Sequence, residues 1–203
     1  MITSMIMKIS NGKSDRFLNI KMYASKHLWK LVPFFLGVGL LFSCFSCASI
    51  KDGDKSMRPS PPMADTSMVR TSLVTINYST PGVKNRKLLD GLIPLDKVWR
   101  TGANEATVFT TDKDLLVMGQ KLPKGRYAFF TEASKDYWQI IFNKEWDQWG
   151  AYSYDKKQDA LRIRILPYQV EEFQERMLIR FKEEQLIFHW GNLQYTLELE
   201  EAN

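Results

Sequence analysis

The densest group of residues able to do chemistry in this 203-residue chain lies in one run, residues 98–107, of sequence VWRTGANEAT. It combines an aromatic ring, a cation, an amide and a carboxylate: Trp99, Arg100, Asn104 and Glu105. Since glycine adopts positive φ without steric cost, Gly102 is expected to make a tight bend that brings Arg100 and Glu105 together. Such a bend would form either a polar pocket in which Trp99 stacks on a ligand, or a buried ion pair that fixes a corner of the fold.

A second group of candidate residues is aromatic and begins in the predicted loop 144–150. Its rings stand among acids and amides, and they belong to Trp146, Trp149 and Tyr152. Loop aromatics beside carboxylates and amides are typical of sugar-binding surfaces, where a ring stacks on the sugar and polar groups bind its hydroxyls. The alternative is that Trp146 and Trp149 fold over one end of the core and close it.

Carboxylates offer an enzymatic alternative. Glu105 could act together with Asp147 or Asp90, and glycosidases use two carboxylates at a defined separation. Because the sequence does not give that separation, the hydrolase stays an alternative and no catalytic residue is assigned.

The motifs of the common nucleotide-binding, metalloprotease and serine-hydrolase sites are absent from the sequence. There is no P-loop, no GxGxxG after a predicted strand, no HExxH and no GxSxG. No cysteine follows Cys47, and His189 is the only histidine after the N-terminal segment. His189 alternates with Phe188 and Trp190 and is therefore expected to face solvent. Neither a metal site nor a cofactor is expected.

The elements that must position these residues are predicted to be strands. Apolar and polar residues alternate in many short runs, among them 74–78, 161–165 and 177–181. Turn residues separate these runs at short intervals. We therefore predict an all-β fold, a single antiparallel β-sandwich of jelly-roll type with about eight or nine strands, over residues 67–203.

Two local features of this β domain are also predicted. Gly191-Asn192 lies between two alternating apolar runs and is expected to turn a hairpin. Residues 170–176 are rich in Glu and Gln and favour a turn of helix before the next strand.

The N-terminus has the features of an export signal. From Met22 it has a basic flank, an apolar run over residues 31–42 and a small residue before Cys44, the parts of a signal peptide. The sequence LFSC that ends at Cys44 resembles the cleavage site of bacterial lipoproteins, in which the cysteine is lipidated. We expect residues 1–43 to be a leader and signal peptide, with Met22 as an alternative start. An uncleaved membrane anchor over residues 31–48 is the alternative.

Residues 44–66 are expected to be a tether. Apart from their first few residues they are rich in proline and charge, and this composition cannot pack into a core. A lipid on Cys44 would hold the protein on a membrane through this tether. The expected location is the cell envelope, at the outer membrane, with its side left open.

Charge excludes one class of partner. The net charge is +5, and all of it lies in residues 1–43, because the rest of the chain balances 22 basic against 22 acidic side chains. Nucleic-acid binding by the folded part is therefore not expected.

Several runs follow one another in a recognisable order: YSTP at 78–81, GLIP at 91–94, VWRTGANEAT at 98–107, KLPKGRY at 121–127, FNK at 142–144 and WGAYSY at 149–154. Together they resemble the bacterial family known as domain of unknown function 2911, common in secreted proteins and lipoproteins of Bacteroidota. The resemblance covers nearly all of residues 68–200. It implies a single β domain and an envelope location, but no activity, substrate or catalytic residue. Thr80 departs from the family pattern, which usually has arginine there.

The expected function is a non-catalytic binding or accessory module, lipid-anchored in the cell envelope, with a glycan or a peptide as its ligand. A carboxylate-dependent hydrolase is one alternative, and a scaffold whose sheet meets an envelope protein is the other. The candidate binding residues are Trp99, Arg100, Asn104, Glu105, Trp146, Trp149 and Tyr152.

Overall fold

The computed structural model describes residues 54–203, and the predicted signal peptide and Cys44 lie outside these described residues. Within residues 54–203 the regular structure consists of eleven strands and two short 3₁₀ turns. In this part of the chain no helix is long and apolar enough to span a bilayer.

The strands are β1 (Pro62–Val69), β2 (Ser72–Ser79), β3 (Val98–Trp99), β4 (Val108–Thr111), β5 (Leu115–Val117), β6 (Gln120–Leu122), β7 (Gly125–Ala133), β8 (Trp138–Asn143), β9 (Asp159–Ile165), β10 (Tyr168–Lys182) and β11 (Gln185–Glu201). The 3₁₀ turns cover Lys55–Met57 and Lys156–Gln158.

The strands form two antiparallel sheets. One has seven strands in the order β1-β2-β4-β7-β8-β9, with β3 paired to β7, and the other has four in the order β10-β11-β5-β6. The prediction of an all-β, antiparallel sandwich is confirmed. Three strands were not predicted: β1, which begins in the segment assigned to the tether, and β3 and β6, which have only two and three residues, too few to show an alternating pattern. The predicted hairpin, in turn, divided β11 into two strands.

Large aromatic side chains fill the space between the sheets. Trp138 of β8 lies edge-on to Phe188 and Tyr195 of β11, with ring centroids 6.3 and 6.1 Å apart. Trp99 stacks on Trp190 at 5.9 Å. Each of these rings is at least nine-tenths buried, so together they are a major source of the apolar burial that stabilises the fold.

The hairpin predicted at Gly191-Asn192 is wrong. β11 continues through this point, and the chain turns instead before it, at residues 183–184. Gly191 has φ +59° and pairs with Gln174 where the register of β10 and β11 shifts. This β-bulge changes the phase of the strand, so that Trp190 before it and Leu193 after it are both buried.

The helical turn predicted over residues 170–176 is also wrong, because this segment is part of β10. Pairing with β11 overrides the local preference of Glu and Gln for helix. The same segment of β10 covers His189, which is only 6% exposed. The Nε2 atom of His189 lies 3.1 Å from the Glu172 carbonyl oxygen. The expectation that His189 faces solvent is therefore wrong. Both faces of β11 are covered here, since Ile187 is buried as well.

The seven-stranded sheet begins inside the segment 44–66 that the sequence assigned to the tether. β1 starts at Pro62, and its exposed side chains give it no continuous apolar run. As the first strand of the sheet it pairs only with β2, and a proline is compatible with the first residue of such an edge strand.

Candidate functional site

The outer face of the seven-stranded sheet carries a cleft of about 720 Å³. One wall comes from β1 and β2, and the other from the loop that follows β8, residues 144–158. The register aligns Asn77, Val108 and Ala128 on neighbouring strands across this face. The lining includes Ala64, Asn77, Glu105, Val108, Trp146 and Trp149.

One buried amide side chain ties both ends of the loop 144–158 to the sheet. Asn143, at the end of β8, is fully buried. Its Oδ1 accepts a hydrogen bond from the Glu145 backbone N–H at 2.9 Å, and its Nδ2 donates to the Asp155 carbonyl at 2.9 Å and to Asp159 Oδ1 at 2.7 Å. Both ends of the loop are therefore tied to the same side chain, which holds the cleft wall in place.

Trp146 covers the outer face of the sheet. It is half-buried and packs on a small apolar cluster separate from the main core, formed by Ala106, Ala128, Phe130 and Ile141. The Arg126 guanidinium lies 3.8 Å from the centre of its ring, a cation–π contact. Trp146 thus covers a second, small core and also lines the cleft.

The two groups singled out in the sequence form one site. Glu105 and Trp149 pair as an antiparallel bridge. The Ala106 N–H donates to the Gln148 carbonyl at 3.1 Å, and the Gly150 N–H donates to the Asn104 carbonyl at 3.1 Å. The run 98–107 and the aromatic loop therefore meet along a short stretch of paired backbone at the cleft.

Trp149 and Tyr152 keep their rings in solvent, with 54% and 85% of their surface exposed. Trp149 lines the cleft and Tyr152 does not. Trp99 is 6% exposed and stacked in the core, so it is not available to stack on a ligand.

The bend in the run 98–107 does not form as predicted. Positive φ occurs at Thr101 (48°) and Asn104 (59°), and not at Gly102. Gly102 is needed for space instead, because a Cβ there would lie 3.1 Å from the Ser79 carbonyl oxygen and 3.1 Å from Thr107 Oγ1. The small size of Gly102, rather than its backbone freedom, suits this corner.

Glu105 is paired, but not with Arg100. Arg58 Nη1 donates to both carboxylate oxygens of Glu105, at 2.9 and 3.1 Å, and Lys55 Nζ donates to one at 3.1 Å. The Arg100 guanidinium lies instead beside Gly150 of the aromatic loop, where a Cβ would be 3.6 Å from its Nη1, and its Nε is buried without a hydrogen-bond partner among the described residues. The predicted ion pair between Arg100 and Glu105 is not formed.

The pairing lowers the pKa of Glu105. Partial burial raises the pKa of Glu105, but hydrogen bonds from Arg58, from the backbone and from Lys55 outweigh burial and lower that pKa to about 2. Glu105 is thus ionised at neutral pH. Asp147 lines the same cleft, whereas Asp90 lies outside its lining and pairs with Lys87 at 3.2 Å.

Three cations of the site were not predicted from the sequence: Lys55, Arg58 and Arg126. Lys55 and Arg58 stand in the segment assigned to the tether, and no local pattern shows that they reach Glu105. A signal for Arg126 did exist, because it alternates with Ala128 and Phe130 on the outward side of β7. Within residues 54–203, no group of His, Cys, Asp and Glu side chains is placed to hold a metal ion.

Comparison with known proteins identifies a family for this chain but no activity. A family model described as "Protein of unknown function (DUF2911)" matches residues 60–199. No curated protein and no solved structure gave a significant match. The matched range contains both sheets almost entirely, the cleft loop and the run 98–107.

Proposed function

Since the chain belongs to the family Protein of unknown function (DUF2911), which supplies no activity, we propose a function from the cleft itself: a non-catalytic module that binds a glycan. The observation that carries this proposal is the exposed ring of Trp149 at the edge of a cleft of about 720 Å³. This volume is typical of ligand pockets. Asn77 and Asp147, both exposed, supply an amide and a carboxylate for sugar hydroxyls beside that ring.

The lowered pKa of Glu105 does not fit the general acid of a glycosidase, and its pairing with Arg58 leaves its oxygens less available to act as a nucleophile. The general acid of a glycosidase must hold a proton near neutral pH, which requires a raised pKa. The pKa of Glu105 is lowered to about 2, and its two oxygens already accept hydrogen bonds from Arg58. Glu105 therefore serves in this proposal as a structural anion of the cleft.

The cell-envelope location belongs to the same proposal. It is supported by the sequence of residues 1–44, with its basic flank, apolar run and LFSC, and by the resemblance to lipoproteins of Bacteroidota. Lipidation at Cys44 would hold the cleft near the membrane to which a glycan is attached or delivered. Metabolic labelling with palmitate should mark the wild-type chain and fail to mark Cys44→Ala.

The binding proposal is tested by titrating the full chain, in detergent micelles, with soluble oligosaccharides of glucose, mannose and N-acetylglucosamine. We expect one class to bind saturably and Trp149→Ala to weaken it about tenfold, the upper value of a lost aromatic contact. Tyr152→Ala is the matched control, because Tyr152 is exposed but outside the cleft lining, and binding should not change. The titration is repeated with Arg58→Ala, because the Arg58 guanidinium lies 6.0 Å from the centre of the Trp149 ring. No saturable binding by either chain, or an equal loss in the Trp149 and Tyr152 variants, would exclude a glycan at this cleft.

A hydrolase is the second candidate, because the structure places Glu105 and Asp147 in the lining of one cleft. In that case the same oligosaccharides would be cleaved, and new reducing ends would accumulate. Glu105→Gln and Asp147→Asn would then each abolish cleavage while binding remained. Binding without any new reducing ends favours the binding module.

A further inference from the structure

Residues 54–61, of sequence DKSMRPSP, lie against the Glu105 end of the cleft, and we name them the strap. The strap opens with the 3₁₀ turn Lys55–Met57, which Asp54 caps by accepting a hydrogen bond from the Ser56 N–H at 3.0 Å. After the turn, Arg58 has φ −66° and ψ 149°, the extended conformation of a polyproline II segment. Lys55 is itself part of the cleft lining.

The side chains of the strap contact Glu105 and Trp149. Arg58 donates to both oxygens of Glu105, a bidentate arrangement that is among the stronger polar contacts in proteins. The Arg58 guanidinium carbon also lies 6.0 Å from the centre of the Trp149 ring. One arginine thus contacts both Trp149, the ring on which the glycan proposal rests, and Glu105, the paired anion beside it.

The backbone of the strap is held through three successive carbonyl groups. The Pro59 carbonyl accepts from Arg176 Nη1 at 3.2 Å, and the Ser60 carbonyl accepts from Asn104 Nδ2 at 3.0 Å. The Pro61 carbonyl accepts from the Thr80 backbone N–H at 2.9 Å, and the Thr80 hydroxyl donates to it at 3.2 Å.

The donors to these carbonyls come from three separate parts of the sandwich. Together they contact the strap in the way that binding domains recognise an extended peptide, through main-chain hydrogen bonds and contacts to single side chains. Proline suits this mode, because it lacks an N–H and favours the extended conformation.

The strap is held by polar contacts and not by apolar burial. None of the residues in its 3₁₀ turn is buried, and Met57 is 82% exposed. The side chains of Lys55, Arg58 and Glu105 keep 43%, 25% and 36% of their surface exposed. Segments with few buried apolar contacts open at low free energy, and exposed ion pairs weaken with salt.

We propose that the groove formed by Glu105, Trp149, Asn104, Thr80 and Arg176 is a recognition site for an extended peptide with arginine followed by proline. The strap is its built-in occupant, so it covers the Glu105 end of the cleft until it is displaced. This inference rests on the proposed function in taking the cleft as a ligand-binding surface, and it names a second class of ligand for it.

The test uses the full chain in detergent micelles, with the strap loosened by Lys55→Ala and Arg58→Ala together. The probe is the acetylated and amidated peptide DKSMRPSP, and the control peptide carries Arg58→Ala. We expect the loosened chain to bind the probe saturably and at least tenfold more tightly than the control peptide. The wild-type chain should bind the probe at least tenfold more weakly than the loosened chain does, because its own strap competes at a high effective concentration.

Equal binding of the two peptides, or no binding by a loosened chain that unfolds at the wild-type temperature, would overturn the inference. Hydrogen exchange on the wild-type chain is a second measurement that does not depend on the variant folding. The amide that reports release is that of Thr80, which is buried and donates to the Pro61 carbonyl of the strap. Release predicts that the Thr80 amide exchanges at least a hundredfold faster than the slowest amides of β2, and equal protection would overturn the inference.

The two proposals fail separately. Because the peptide titration contains no sugar, an absent glycan would leave its result unchanged. Peptide binding without sugar binding would remove the glycan proposal and keep this one.

Discussion

The two faces of the seven-stranded sheet use aromatic residues differently. The inner face packs large rings against the second sheet, and Trp99 and Trp138 there are almost without exposed surface. The outer face carries only a small apolar cluster, covered by Trp146, and leaves Trp149 in solvent beside a cleft. The same residue type therefore stabilises the fold on one face and is available for recognition on the other.

The run 98–107 passes from one face to the other. Trp99 at its start belongs to the core, whereas Glu105 near its end lines the cleft and Asn104 beside it donates to the strap. The two interpretations of this run, a corner that fixes the fold and a polar site, each describe a different part of it. A dense polar motif can be structural in some positions and functional in others within a few residues.

The largest effect is expected from exchanging a tryptophan on each face. Trp99→Ala removes a ring that is stacked on Trp190 and should lower the free energy of unfolding by about 3–5 kcal/mol. Trp149→Ala, the same substitution at a half-exposed position, should lower it by less than about 1 kcal/mol. Denaturant unfolding followed by far-ultraviolet circular dichroism measures both. Similar losses in the two variants would remove the distinction between the faces.

A smaller effect is expected at the amide that ties the cleft wall to the sheet. Asn143→Ala breaks the three hydrogen bonds at the ends of the loop 144–158 and should cost about 1–3 kcal/mol, because it leaves buried polar groups without partners. The amides of this loop should then exchange faster with solvent. Asn77→Ala is the control, since Asn77 is exposed on the outer face, and it should change stability by less than about 0.5 kcal/mol. A comparable loss in Asn77→Ala would contradict this account of the loop.

The sandwich was predictable from the sequence because most of its longer strands show their own alternation, and alternation is a local property. Its exceptions lie where a non-local contact changes the pattern. The bulge at Gly191 shifts the phase of β11, and the cover over His189 buries both faces of the same strand. The local pattern at Gly191 is typical of a hairpin, and the pattern at His189 is typical of a solvent-facing residue.

The run 98–107 and the aromatic loop were each identified from the sequence as candidate sites, but the contact between them was not predicted. Glu105 and Trp149 are paired across strands, and nothing in either run specifies the other as its partner. Arg58 is harder still, because it stands in a proline-rich segment whose composition is that of a linker. Arg58 is placed by its contact with the Glu105 carboxylate and by hydrogen bonds from the domain to the neighbouring backbone. The composition of a segment does not indicate such contacts.

The smallest effect is the pH dependence of the strap contact. Arg58 and Lys55 lower the pKa of Glu105 to about 2 against the opposing effect of burial, whereas an unfolded glutamate has a pKa of about 4.3. Since the folded pKa is the lower one, the contribution of Glu105 to stability is fully present above about pH 4.3 and is lost as the pH falls toward 2. The carboxylate is about one-third exposed, so solvent screening should limit this contribution to less than about 1 kcal/mol.

The difference in unfolding free energy between the wild-type chain and Glu105→Gln should therefore be constant from pH 7 to about pH 5 and shrink toward zero near pH 2. The matched control repeats the pair of measurements in a chain with Lys55→Ala and Arg58→Ala. There the folded and unfolded pKa values of Glu105 should lie closer together, so most of the pH-dependent difference should disappear. If the pH-dependent difference persists unchanged, the strap does not lower the pKa of Glu105, and contacts within the sandwich alone stabilise its ionised carboxylate.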